Sequence, residues 1–160
     1  MKTKESAGLA IIYDNRLLMG HPTNARWFKS YSIPKGGIDE GETKLEAAIR
    51  ETKEEVGLNI PLSLIDKTEH SFSLSTKKYN YDKTVYYYVV EIDDLSQLKL
   101  KDTKIPKNQL RLKEMDWAGF LTLEEALKRA TPSQLALVNK LTTLGLLESR
   151  ILNFKQFKNL

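Results

Sequence analysis

Seven acidic residues crowd one stretch of the chain, Gly36 to Leu58 (GGIDEGETKLEAAIRETKEEVGL), and three of them share one helix face. At about 100° per residue, Glu51, Glu54 and Glu55 fall within roughly a 100° arc of a helix. The apolar positions Leu45, Ala48, Ile49, Thr52 and Val56 centre about 125° away. One face therefore pins the helix while another gathers charge. Like charges at i,i+4 destabilise a helix by roughly 0.2–0.5 kcal/mol. These also lie in the C-terminal half, where the helix dipole disfavours anions. Such a cluster asks for a cation, and hard carboxylate oxygens suit Mg²⁺ or Mn²⁺. The plain alternative is a solvated, charged helix face. Against it, Glu51 and Glu55 have no Lys four residues on, so the favourable ion-pair direction is unused. Gly36 and Gly37 lie one short segment earlier, and a glycine carbonyl can approach a metal closely. Glu42 can reach back to that loop, and Arg50 can offset part of the charge.

The same stretch resembles the Nudix box, G-x5-E-x7-R-E-U-x-E-E-x-G-U with U aliphatic. Gly36, Glu42, Arg50, Glu51, Glu54, Glu55 and Gly57 match in register, and Leu58 is aliphatic. At uniform residue usage such a match arises roughly once in 10⁹ starting points. Thr52 departs at an aliphatic position, where its methyl can still face a core. An apolar strand from Ala7, the HPTNARWFKSYSIPKGG run and the WAGFLTLEEA segment are also similar to Nudix (MutT-like) hydrolases, so the resemblance covers about residues 5–145.

The resemblance implies an α/β/α sandwich with a mixed central sheet. It also implies hydrolysis of a nucleoside diphosphate linked to a further group. Carried over by position, Glu51 and Glu55 are metal ligands, and a backbone carbonyl at Gly36 adds another. Glu54 is a ligand or the general base. Arg50, counted with Glu54 among the catalytic residues, holds the loop-helix-loop in shape together with Glu42. Some family members take their base later in the chain, which here makes Glu114 and Glu91 candidates. Metal ions would neutralise the phosphates, orient them and acidify the attacking water. Lys35 would meet a phosphate as a point charge. Arg26 and Trp27, in the loop expected to face the box, would contact the substrate. The PKGG spelling and the RETKEE run look most similar to members cleaving dinucleoside polyphosphates or RNA 5′ ends. Sugar-nucleotide or nucleoside triphosphate cleavage, an isomerase on the same fold, and a non-catalytic nucleotide-binding module are the alternatives. The box reports the chemistry, whereas specificity lies in loops.

These residues need elements to position them. Thr43 with Glu46 makes a capping box and Gly57 a C-terminal stop, which predicts a helix over 44–56. Residues 7–13 read as a buried strand, Asp14-Asn15 as a turn, and 16–19 as the returning strand. Ser32 to Pro34 is extended, and Gly36-Gly37 is expected to break the chain. Strands are expected at about 61–75 and 83–92, with TVYYYVVEI the clearest. Its alternation puts Tyr86 and Tyr88 on one face and Tyr87 on the other, one of which could line a base pocket. A charged connection over 93–111, a strand over 114–120, a helix capped by Thr122 and a helix opened by Pro132 follow. The class is α/β. Residues 1–145 form one domain, and 146–160 a basic amphipathic tail or helix.

The chain has 160 residues, a formal net charge of +4 and no cysteine. Disulfides, thiolate metal sites and a Cys nucleophile are excluded. Two histidines, His21 and His70, exclude a histidine cage and read as lone surface or core residues. No stretch approaches about 20 apolar residues, so a membrane partner is not expected, and the expected compartment is the cytoplasm. Basic residues concentrate in the tail and between Lys99 and Lys113, where six face only Asp102. Neither has the density of a nucleic-acid tract, and DNA is not an expected partner. The expected partner is a phosphorylated small molecule or an RNA 5′ end; the sequence leaves the oligomeric state open.

Overall fold

Residues 2–76 and 81–149 are described in a computed structural model of the chain. The apolar run from Ala7 is the second half of a longer strand, β1 (Lys2–Tyr13). Asp14 and Asn15 both take positive φ, 47° and 58°. That is the two-residue turn whose twist suits a hairpin, and β2 (Arg16–Pro22) returns antiparallel from it. β3 (Lys35–Gly37) lies antiparallel on Ser6 to Gly8. β4 (His70–Thr76) and β5 (Tyr81–Ile92) pair antiparallel, and β5 runs parallel to β1 from Lys2 to Tyr13. β6 (Met115–Leu121) closes the far side against β2. The mixed sheet has the order β4-β5-β1-β2-β6, with β3 on β1. Since β5 takes the whole of one edge of β1, the other edge is shared between β2 and β3.

Alternation along β1 sends side chains to two cores. Ala7, Leu9 and Ile11 join Tyr88 and Val90 under α1 (Lys44–Val56), through Ala47, Ala48 and Val56. Ala10 and Ile12 join Leu17, Met19, Tyr87 and Val89 under α2 (Leu123–Arg129) and α3 (Leu135–Thr143). The expected α/β/α sandwich is what the chain forms.

Several local expectations change. Residues 61–69 are not a strand: Pro61 leads into a single 3₁₀ turn at Leu62–Leu64, and β4 begins only at His70. Gly36-Gly37 does not break the chain but forms most of β3. Pro132 opens a 3₁₀ turn that leads into α3. Tyr87 and Tyr88 are both buried, and Tyr87 lines a cavity of about 320 Å³ with His70, Phe72 and Lys140. Tyr86 is covered by the Lys44 ammonium, 4.0 Å from its ring centre. The tail keeps Leu147 fully buried; its residues 150–160 lie outside the described residues. No helix among the described residues is long and apolar enough to cross a membrane.

Candidate active site

The box helix is held at both ends. The Thr43 hydroxyl accepts from the Glu46 N–H at 3.1 Å, and the Glu46 carboxylate accepts from the Thr43 N–H at 3.2 Å. Gly57 caps the far end at φ 68°, its N–H reaching the Lys53 carbonyl at 3.0 Å. At that end the Arg111 N–H donates to the Glu55 carbonyl at 3.0 Å. The rotation of the helix, and so the aim of its carboxylates, follows from these anchors.

Arg50 is the hub of the cluster. Its Nε donates to Glu42 at 2.7 Å and its Nη2 to the other Glu42 oxygen at 3.0 Å, a two-pronged pair. Nη2 also reaches the Gly37 carbonyl at 2.9 Å, while Nη1 reaches Glu51 at 2.9 Å and Glu54 at 3.2 Å. Glu42 accepts a further bond from the Asp39 N–H at 3.0 Å, closing the loop. The Arg50 bonds, then that N–H, hold the Glu42 carboxyl down at about 2. One guanidinium thus ties loop, β3 and helix together.

The carboxylate face is not the solvated helix face of the plain reading. Glu55 is only 8% exposed. Its carboxylate accepts the Lys35 N–H at 3.2 Å. Burial, and then the charge of Glu51, pushes its carboxyl up to about 8. Glu51 lies over Gly36, where any Cβ would collide with its carboxylate. Burial pushes Glu51 up as well, against the pull of Arg50. Thr52 is fully buried and gives its hydroxyl to the Ala48 carbonyl at 2.8 Å, so the box departure costs no core packing.

The lysine beside the box is in an unusual setting. Burial lowers the Lys35 ammonium to about 8, and Lys83 stands against it as a second cation. Sequence reasoning missed Lys83, because only the sheet register brings β5 near β3. Arg111 was also missed as a site residue: it faces Glu54 at 3.8 Å and Glu114 at 3.8 Å. Glu114 adds negative charge near both Glu51 and Glu55. Glu91 is set apart. It pairs with Ile12, five residues along β1 from the partner of Gly36, or roughly 16 Å at about 3.3 Å per residue. It lines a different cavity, of about 520 Å³, with His70, Asp66 and Leu146.

Among the described residues no three Asp, Glu or His side chains are gathered closely enough to hold an ion, since Glu51 and Glu54 are turned onto Arg50. The donor chemistry nevertheless fits a hard divalent cation. All the available donors are oxygens, and among the described residues the buried Glu55 carboxyl has one backbone N–H and no cationic side chain bonded to it. Arg26 and Trp27 belong to a second cluster, around His21. That histidine is not a lone residue: it is 1% exposed, bonded at both ring nitrogens and stacked on Trp27. His70 stacks on Tyr87 at 5.3 Å between ring centres.

A family model described as the NUDIX domain matches residues 2–141. The RNA pyrophosphohydrolase of a Nitratiruptor species is 36% identical over 84 residues, 49% of this chain and 54% of that protein. The asymmetrical bis(5′-nucleosyl)-tetraphosphatase of Mus musculus is 37% identical over 65 residues, 40% of this chain and 43% of that protein. The chain spans about half the length of these curated relatives. A crystal structure of an Ap4A hydrolase from C. elegans superposes with a TM-score of 0.63 at 23% identity, covering 88% of this chain and 96% of that one. At that identity the likeness speaks for the fold.

Proposed function

The chain belongs to the NUDIX family, and we propose that it is a Mg²⁺-dependent (or Mn²⁺-dependent) cytoplasmic pyrophosphohydrolase. It cleaves a phosphoanhydride bond in a dinucleoside polyphosphate or at a triphosphorylated RNA 5′ end. The observation that carries this reading is the carboxylate pair of half-buried Glu51 and buried Glu55 against Lys35-Gly36, with Arg50 tying loop, strand and helix together. Relatives named RNA pyrophosphohydrolase and bis(5′-nucleosyl)-tetraphosphatase support the substrate class.

Glu51, Glu55 and the Gly36 carbonyl would hold the cation. When bound, it supplies charge neutralisation of the phosphates and a more acidic water. Glu54, at the solvent-facing side of the cluster, takes the proton of the attacking water. Arg50 keeps Glu51 and Glu54 aimed and fixes the Gly37 carbonyl. Lys35, with Lys83 behind it, meets the phosphate chain as a compact cation. Arg26 and Trp27 contact the rest of the substrate.

A product-resolved screen with Mg²⁺ in ¹⁸O-labelled water tests the reading. The panel holds dinucleoside polyphosphates, triphosphorylated RNA, nucleoside triphosphates and sugar nucleotides. One label on a phosphate-bearing product of the first two is expected. Preference for a sugar nucleotide or plain triphosphate would move the substrate class. Binding without any cleavage would make the chain a nucleotide-binding module.

A further inference from the structure

Outside the carboxylate cluster, the most organised polar group in the molecule is the His21 ring. Its Nδ1 lies 2.5 Å from an Asp116 oxygen. Its Nε2 lies 3.0 Å from the carbonyls of both Ala25 and Arg26. These partners engage both ring nitrogens, so the ring cannot turn without losing contacts. The Trp27 indole lies flat on it, 3.7 Å between ring centres and 1° between planes. Yet Trp27 is 58% exposed. With the imidazole on one face, the exposure belongs to the other. Phe28, next in the chain, is also exposed, and the Arg26 guanidinium lies 5.4 Å from its ring centre.

This loop is joined to the carboxylate site. Thr23 donates its N–H to the Glu114 carbonyl at 3.0 Å and its hydroxyl to the Leu112 carbonyl at 2.7 Å. The segment 111–116 therefore carries Asp116 against His21 at one end and Arg111 against Glu54 and Glu55 at the other. A flat, outward aromatic face beside an arginine suits a nucleobase, because every base has a π face. We infer that His21 is a positioning residue. Pinned by Asp116 and the Ala25 and Arg26 carbonyls, it holds the Trp27 indole outward as a stacking platform for a nucleobase of the substrate. This rests on the hydrolase reading above and names what the loop does in it.

The test compares Trp27→Ala, Trp27→Phe, His21→Gln and Asp116→Asn on base-bearing substrates and on a base-free ribose polyphosphate. Diadenosine tetraphosphate and a triphosphorylated RNA are run as separate arms, which tells a dinucleotide base from an RNA base. Trp27→Ala should raise KM for a base-bearing substrate at least about tenfold more than for the base-free one, with the loss in KM rather than kcat. Trp27→Phe should recover most of it. His21→Gln and Asp116→Asn should show the same selective rise in smaller measure; Asp116 is partly exposed, so its variant tolerates substitution where His21→Gln fails to fold. Equal effects on base-bearing and base-free substrates, or Asp116→Asn without a selective rise in KM, would overturn the proposal. Titration with adenosine monophosphate reads the platform without turnover. Quenching of tryptophan emission that disappears in Trp27→Phe upholds it even where no substrate is cleaved, and no quenching in the wild type overturns it.

Discussion

A carboxylate that is 8% exposed, with Glu51 beside it and the Lys35 N–H as its bonded partner, binds its proton more tightly folded than unfolded. In the metal-free protein Glu55 then contributes stability that is fully present below the ordinary carboxylate range and lost as pH rises through about 8. Lys35, lowered to about 8, acts in the opposite sense only above that pH. Thermal scans of metal-free protein should therefore show wild type losing stability between pH 6 and 8 while Glu55→Gln stays nearly flat. Mg²⁺ should raise the wild-type midpoint more at pH 8 than at pH 6. A Glu55→Gln profile that tracks the wild type would place the pH dependence elsewhere. In turnover the same variant, and Glu51→Gln, should lose on the order of 10²–10⁴-fold. The base is tested by the order of two further losses. Glu54 is bonded to Arg50 and faces Arg111, whereas among the described residues Glu114 is paired with Arg111 at 3.8 Å. Glu54→Gln should cost the larger loss in kcat, and the reverse order would transfer the role to Glu114.

At the scale of elements, the close pass of β3 over α1 decides whether the site assembles. Gly36 pairs with Ala7 of β1, and the Glu51 carboxylate occupies the space a Cβ would need. Gly36→Ala must displace that carboxylate, since the ladder to β1 keeps the strand from moving away. Expected is a fall in kcat on the order of 10²-fold with a small change in melting temperature, read by kinetics and calorimetry on the same preparation. Wild-type kcat would mean that Glu51 can work from a second position. Such dependence on distant partners also separates what was legible in the chain from what was not. The box helix was legible to the residue because its signals are local: Thr43 with Glu46 at one end, Gly57 at the other. The gathering of Glu51, Glu54 and Glu55 on one side of that helix was legible from spacing alone. The strand at Gly36-Gly37 was not, because glycine marks a break locally and only β1 makes it a strand. The His21–Asp116 pair spans 95 residues and leaves no trace in either neighbourhood. The error over 61–69 has a different cause: an apolar, proline-led run reads as extended, and the chain spends it on one 3₁₀ turn and a single bridge from Ile65 to Val90.

Across the whole molecule the charge is arranged unevenly, and the basic connection between β5 and β6 is where it gathers. Ile105 and Leu110 anchor that segment in the core, while Lys99, Lys101, Lys104 and Lys107 stand exposed around them. Arg111 directs its charge to Glu54 and Glu114, and Asp102 is the acidic residue of the run. The remaining lysines project a positive field from a segment whose end, Arg111, meets the carboxylate cluster, and the core anchor keeps that segment in place. A long polyphosphate or an RNA 5′ end carries more charge than one site can neutralise, so such a field should draw it in. Exposed charges act weakly beyond about 8 Å at physiological ionic strength, and the attraction should fade as salt rises. Replacing both Lys104 and Lys107 by Ala should raise KM for the most highly charged substrate about three- to tenfold with kcat unchanged, as expected for lost uniform binding. It should also flatten the salt dependence of kcat/KM, and a compact substrate such as a sugar nucleotide should respond much less. Kinetics across a salt series on both substrates would decide it. Equal shifts for the two substrates, or none for either, would reduce the segment to a solvated connection whose lysines serve solubility alone.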